Sequence, residues 1–258
     1  MKTFVQNFKK YRFLLGQLIE KDIKLKYRNS YLGIIWTMLE PLLTMIVLTL
    51  VFSRLLGKGT QDFPVYILTG RLIFSFYSGA TTQALKSVRK HASMIKKVYV
   101  PKYMYPMSTV LSSYVTFLIS LIVLAGVCLA RHITPTVYLL QVFVPLIIIL
   151  AFAMGTGLFL SALAVFFRDL EYLWGVATMI IMYSSAIFYR AEDVLSDKNA
   201  WIFRLNPVFA CIDNFRSAIF GSPMNLAETA YAAGIALVSL ILGTFFFYKS
   251  QDRFILHL

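Results

Sequence analysis

The sequence predicts an all-α membrane protein with six transmembrane helices. An N-terminal amphipathic interfacial helix, a cytoplasmic docking helix and re-entrant outer helices between spans five and six complete the expected fold. Three observations carry this prediction. The chain is 59% hydrophobic and 14% charged, where soluble domains carry about 25% charge. Six mainly apolar stretches approach the roughly 20 residues that a helix needs to cross a bilayer. Seventeen of the 25 Lys and Arg residues fall on one side of those stretches, and that bias marks the cytoplasmic side.

The spans are expected at about residues 31–53, 63–85, 107–130, 139–167, 170–189 and 226–248. The first 30 residues, the stretch 86–105, Arg168 and the tail after Tyr248 hold the cytoplasmic charge. Both termini are therefore expected in the cytoplasm of a multi-pass protein. Residues 1–28 carry charge throughout and no uninterrupted apolar core, so they read as an interface helix and not as a cleaved leader. Phe4, Phe8, Tyr11, Leu15 and Leu18 recur there at helical spacing, with Lys9, Lys10, Arg12 and Lys21 around them. That is the pattern of a helix lying among lipid headgroups. Residues 29–258 form the transmembrane domain, without internal repeats.

The stretch 86–106, KSVRKHASMIKKVYVPKYMYP, is too polar to span and too patterned to be slack. As one helix it places Val88, Ala92, Ile95, Val98 and Tyr99 on one face, with Arg89, Ser93, Lys96 and Lys97 on the other, until Pro101 stops it. The outer connection 190–225 is too long for a turn. Within it, residues 199–222 are expected to form two short helices broken at Asn206-Pro207 and half-inserted in the membrane. An amphipathic cap lying on the lipid is the alternative.

Isolated charge within a bilayer is expensive. Glu40 and Arg71 enter from opposite sides to depths that differ by about 5 Å. They are expected to pair across spans one and two, either as a structural staple or with Arg71 facing a path for an anionic substrate. Tyr66, Phe74 and Tyr77, with Tyr183 and Tyr189, offer aromatic faces for a sugar path; interfacial belts are the plainer reading. Ala151/Gly155 and Gly157/Ser161 have the spacing of close helix packing. Cys128 and Cys211 have no metal-site spacing and read as free thiols, although an outer bridge is conceivable. No nucleophile, metal or phosphate-loop motif is present. An enzyme is therefore not expected, and any ATP-driven work needs a second polypeptide. The net charge of +13 fits anionic lipid contact in so apolar a chain, and nucleic acid is not an expected partner.

Four segments resemble one family. YRNSYLGIIWTMLEPLL at 27–43 has its Tyr-x-x-x-x-Leu-Gly-x-x-Trp-x-x-x-x-Pro lead into the first span. ASMIKKVYVPKYMYP at 92–106 matches its cytoplasmic stretch, VFFRDLEYL at 165–173 its Phe-Arg-Asp turn, and NPVFACIDNFRSAIFG at 206–221 its outer segment. Together they resemble bacterial ABC-2 type permeases, most closely those that export lipid-linked polysaccharides such as O-antigen, capsule or teichoic acid. The resemblance implies a homodimer in the cytoplasmic membrane joined to two ABC ATPase subunits, which would hold the ATP and Mg. It implies that residues 86–106 contain a coupling helix. Arg89, Lys90, Met94, Ile95, Lys96, Lys97, Val98, Tyr99 and Pro101, with Arg168 and Asp169 of the second turn, are then the contact candidates. It further implies an outer gate at Trp201, Asn206, Pro207 and Arg216. A permease for a drug or small lipid is the alternative; a stand-alone channel would leave the docking stretch without a purpose.

Overall fold

A computed structural model describes residues 2–28, 30–56, 62–97, 100–190 and 200–254, with side chains from residue 11 onward apart from 54–56, 200 and 202. All the regular secondary structure of the described residues is helical, without strands. In chain order they form α1 (Lys2–Tyr27), α2 (Trp36–Leu56), α3 (Phe63–Lys90), α4 (Ala92–Lys97) and α5 (Met104–Ala130). Then follow α6 (Phe143–Phe166), α7 (Leu170–Tyr183), α8 (Ala200–Arg204), α9 (Pro207–Ile219) and α10 (Leu226–Ser250).

Four stretches are long and apolar enough to cross a membrane: Gly33–Ser53, Met104–Ala130, Val137–Phe166 and Leu226–Arg253. They coincide with expected spans one, three, four and six. The second expected span is α3, whose 28 residues rise about 42 Å. Its composition is more polar because it lies in the middle of the molecule, against α2, α5, α6, α7 and α9. Eighteen of its residues are buried, so lipid does not dictate its side chains. The fifth expected span is shorter than 170–189. Helix α7 stops at Tyr183 after 14 residues, about 21 Å, because Asn206 intercepts its last turn. The Asn206 Nδ2 donates to the carbonyls of Ile181 and Ser184 at 3.3 and 3.2 Å.

Pro41 sits inside α2 and offers no N–H to the carbonyl of Thr37. The fold repairs this from another helix: Ser120 of α5 donates its hydroxyl to the Thr37 carbonyl at 2.9 Å. Helices α6 and α10 make the most extensive pairing. At their crossing, a Cβ on Gly155 would stand 2.4 Å from Leu240 N, and one on Gly243 would stand 2.1 Å from Gly155 O. Backbone meets backbone there, as the small-residue spacing in span four suggested. Around α3 the core includes Tyr77 stacked on Phe152 at 4.9 Å and Phe76 stacked on Phe117 at 5.1 Å.

A second apolar cluster ties the other end of the bundle together. Leu15 and Leu18 of α1, Val88 of α3, Ile95 of α4 and Met104 of α5 meet Leu158 of α6 and Phe247 of α10. Leu15 and Leu18 thus face protein. Phe4, Phe8, Val98 and Tyr99 lie outside what the structure describes at side-chain level. The basic stretch is not one continuous helix. It breaks at His91, where α3 ends and the separate six-residue α4 begins.

The outer segment forms two short helices, α8 and α9, which meet at Asn206-Pro207 as expected. Ten of the 13 residues of α9 are buried in the protein, so it is a core element and not a cap lying on lipid. Both cysteines are free thiols.

Candidate functional site

One face of α3 is polar along most of its length. Arg71, Ser75, Gly79, Gln83, Lys86 and Lys90 recur at three- and four-residue steps, which aligns them as a stripe. Two cavities open onto this stripe. The first, of about 250 Å³, lies among α2, α3 and α5 and is lined by Thr37, Glu40, Thr44, Arg71, Ser113 and Ser120, among others. The second, of about 290 Å³, lies among α1, α3 and α5 beside Asp22, Lys86, Lys90, His91 and Ser112. Lys26, Gln83, Ser113 and Thr116 border both, so the two form one cleft. From Lys90 to Arg71 it follows α3 for about 28 Å.

Glu40 and Arg71 thus share a cavity wall, with no nitrogen–oxygen contact within 4.0 Å between them among the described residues. The opposite wall is hydroxylic. On α5, Ser112 and Ser113 donate to the Thr109 carbonyl at 3.0 and 2.9 Å, and Thr116 donates to the Ser112 carbonyl at 2.9 Å.

At the end of the cleft, α4 presents two different faces. Ile95 points inward and is buried; Met94, Lys96 and Lys97 are exposed. Arg89, with Lys86, instead holds Glu171 in the first turn of α7, the Arg89 Nη2 standing 3.5 Å from its Oε2. Arg168 and Asp169 are exposed on the turn just before. Glu171 therefore clamps the base of α7 to the helix that carries α4. It was not singled out from sequence, although it lies three residues after Arg168. Lys90 is exposed in the cleft and Pro101 is half-buried before α5.

His91 at the α3–α4 break is buried and stacks on Tyr105 at 4.7 Å, with its Nδ1 2.9 Å from the Ser87 carbonyl. Burial lowers its pKa below the ordinary 6.5, opposed by the Ser87 carbonyl; Lys21 and Lys90 push it down further, and Asp22 pulls it up. The folded state thus resists a proton that the unfolded chain accepts. His91 costs no stability above its ordinary range and destabilises the fold as pH falls through that range. The thermal midpoint of the purified protein should fall between about pH 7.5 and about pH 5.5, and His91→Gln should flatten that slope.

The other end is organised by Arg216. It is buried without a carboxylate within 4.0 Å among the described residues, its guanidinium 3.5 Å from the centre of the Tyr66 ring. Its Nη1 and Nη2 donate to the carbonyls of Ala186 and Tyr66, each at 3.0 Å. Gly70 leaves room for it: a Cβ there would come within 2.6 Å of Nη2. Arg216 thereby pins α9 to α3 and to the turn after α7. Asn206 caps α9 by accepting from Val208 N at 3.0 Å, Pro207 follows as first residue of the helix, and Trp201 is exposed on α8. Tyr66 also donates to the Tyr189 carbonyl at 3.0 Å, and Tyr189 donates to the Tyr183 carbonyl. Tyr66, Tyr189 and Arg216 are therefore brought together. Phe74 and Tyr77 are core residues that face no open path within this chain, and Tyr183 is exposed.

No group of three or more metal-ligating side chains occurs among the described residues. The arrangement is a polar cleft through an apolar bundle, with an exposed short helix at one end and a pinned helix pair at the other. The chain is 27% identical over 243 residues to the O-antigen export system permease protein RfbA of Klebsiella pneumoniae, covering 93% of each chain. It is 24% identical to RfbA of Myxococcus xanthus, covering 98% of each. It is 23% identical to the capsule polysaccharide export inner-membrane protein CtrC of Neisseria meningitidis serogroup B, covering 90% of this chain and 87% of that one. The profile described as ABC-2 type transporter matches residues 14–220, from within α1 through α9, and the chain belongs to that family.

Proposed function

We propose that this chain is the permease subunit of an ABC exporter that moves a lipid-linked polysaccharide across the bacterial cytoplasmic membrane. The observation that carries this reading is similarity along nearly the whole chain to permeases named for O-antigen and for capsule export. Six crossings put both termini in the cytoplasm, with α3, and α7 continued by the turn that follows it, supplying the two beyond the four apolar stretches. Two copies of the chain form the path, and two ABC ATPase subunits bind the nucleotide and its Mg. The exposed Met94, Lys96 and Lys97 of α4 enter a cleft on the ATPase, with Arg168 and Asp169 beside it. The apolar side chain anchors and the lysines orient. Closure of the ATPase pair moves α4, and the clamp at Glu171 carries that motion to α7. At the outer face, α8 and α9 cap the exit as a re-entrant pair, held by Arg216 and Asn206.

The test is deletion of the reading frame in its native host. The expected result is loss of surface polysaccharide, accumulation of the lipid-linked glycan inside the cell, and unchanged sensitivity to hydrophobic drugs. Intact surface glycan with increased drug sensitivity assigns the chain to drug export instead. Failure to co-purify with any ABC ATPase removes the coupling role of α4.

A further inference from the structure

We infer that the cleft along α3 is a two-level binding site for the phosphate-bearing head of a membrane lipid, with Gly79 as its waist. The inference rests on the lipid-linked substrate proposed above. At the lower level, Lys86 and Lys90, with Lys26 where the two cavities meet, face one acidic residue, Asp22, which leaves an excess of positive charge even though Lys86 also contacts Glu171. At the upper level stands Arg71, with Glu40 on the same wall and no carboxylate within 4.0 Å among the described residues. An arginine at membrane depth is retained where it meets an anion or lines a wet path. The two levels lie about 22 Å apart along α3. The two cavities adjoin at Lys26, Gln83, Ser113 and Thr116, so a head captured below passes along shared polar residues toward Arg71.

The charges order the steps. The lower level holds a dianionic head more strongly than the upper one, where Glu40 opposes a second negative charge. Capture occurs at the lysines and hand-over at Arg71. Phosphate chemistry suits both, because lysine and arginine form charge-assisted hydrogen bonds to phosphate oxygens.

Gly79 is the independent observation. Glycine weakens a helix interior relative to alanine. At Gly70, Gly155 and Gly243 crowding requires it: a Cβ would strike a neighbour at 2.6 Å or less. At Gly79 a Cβ would meet only the Gln83 side-chain nitrogen, at 3.9 Å, and at Gly16, Gly126, Gly175 and Gly234 it would meet nothing within 4 Å. Packing requires glycine at none of these, and of them Gly79 alone borders the cleft. What the missing side chain leaves is open space in the cavity of Arg71, one helical turn from Gln83, where the two cavities join.

The experiment uses the purified full-length chain in lipid discs and a polyprenyl diphosphate carrying a photoreactive group beside the phosphate. Peptides around Asp22–Lys26 report the lower level, and peptides around Thr44 and Ser75 report the upper. The wild type should be labelled at both. Gly79→Leu leaves every charge in place and has room to fold; it should keep the lower label and lose most of the upper one. Arg71→Gln should reduce the upper label about tenfold, as expected for one lost charge-assisted contact. Lys26→Gln with Lys90→Gln, both exposed, should reduce both labels.

Labelling unchanged in Gly79→Leu and in the lysine pair overturns the site even if Arg71→Gln fails to fold. Equal labelling by a polyprenol probe without phosphate overturns the phosphate assignment. Unlabelled polyprenyl diphosphate should displace the probe at concentrations far below those of inorganic phosphate; equal potency of the two assigns the cleft to the free anion and overturns the lipid assignment. No ATPase or glycan is involved, so a chain that labels as expected but exports no polysaccharide keeps this site and loses the proposed function.

Discussion

Gly243→Ala is expected to abolish recovery of folded protein, although it adds a single methyl group. Alanine elsewhere in an exposed helix improves on glycine by about 1 kcal/mol. At residue 243 the new Cβ would stand 2.1 Å from the carbonyl oxygen of Gly155 and 2.9 Å from its carbon. Carbon atoms rest at about 3.5–4.0 Å, and the obstacle is backbone, which has no rotamer to change. The helices must separate by more than about 1 Å, and the pairing of α6 with α10 loses contact along its length. Inserting a methylene against movable side chains already costs about 1–3 kcal/mol; this site should exceed that range. Gly155→Ala faces Leu240 N and Ser239 C at 2.4 Å and should behave alike. Gly234 on the same helix α10 has nothing within 4 Å of its would-be Cβ, so Gly234→Ala should fold at least as well as wild type. Size-exclusion profiles of fluorescently tagged variants decide the matter: equal peaks for Gly234→Ala and Gly243→Ala would contradict the seam.

The second large effect separates two neighbouring residues of α4. Ile95 is 8% exposed in the cluster that joins α1, α3, α5, α6 and α10, whereas Met94 is 45% exposed. Ile95→Asp puts a carboxylate among apolar side chains, at a cost of about 3 kcal/mol or more. It should detach α4 and lower the thermal midpoint of the permease alone. Met94→Asp touches no core contact and should change stability by less than about 0.5 kcal/mol. It should still weaken ATPase docking by about tenfold or more, the equivalent of about 1.4 kcal/mol. Thermal midpoint without ATPase and affinity with it are therefore expected to part company. Unchanged docking in Met94→Asp would remove this face of α4 from the interface.

Much of this was legible in the chain. Spans such as 107–130 and 139–167 announce themselves because lipid demands apolar residues all round a helix. Helix α3 was read as one of the six mainly apolar stretches, although its side chains answer to protein and not to lipid. The shortening of α7 was hidden because 184–189, SSAIFY, carries neither charge nor proline to mark a stop. What ends the helix is Asn206, twenty-two residues after Ser184, and periodicity does not report a contact at that separation. Helix α4 was read as part of one continuous helix, which the structure breaks at His91. Ile95 lies on the buried side with Val88, and Ser93, Lys96 and Lys97 are exposed, as the pattern had it; what periodicity did not report is that the apolar side faces this chain's own core, so Ile95 is not presented to a partner. The cleft was half visible. Glu40 and Arg71 stood out as charges in apolar runs. Gln83, Lys26 and the hydroxyls of α5 drew no notice, because each is unremarkable until α1, α3 and α5 converge. Phe74 and Tyr77 show the reverse: aromatic type suggested a sugar path, and packing put both in the core.

The hydroxyl wall of the cleft has a consequence for what can travel along it. Ser112, Ser113 and Thr116 each spend their one proton on a carbonyl of their own helix, and what they leave facing outward is lone pairs. The wall is thus hydroxylic in composition and one-sided in bonding: it accepts and does not donate. Water molecules and other hydroxyl-bearing groups adhere to such a surface, while an anion, itself only an acceptor, gains nothing from it. A phosphate is steered off this wall toward the cations across the gap, and the hydrated remainder of the head is left to wet the other side. Changing Thr116 to valine would therefore dry the wall rather than alter its charge.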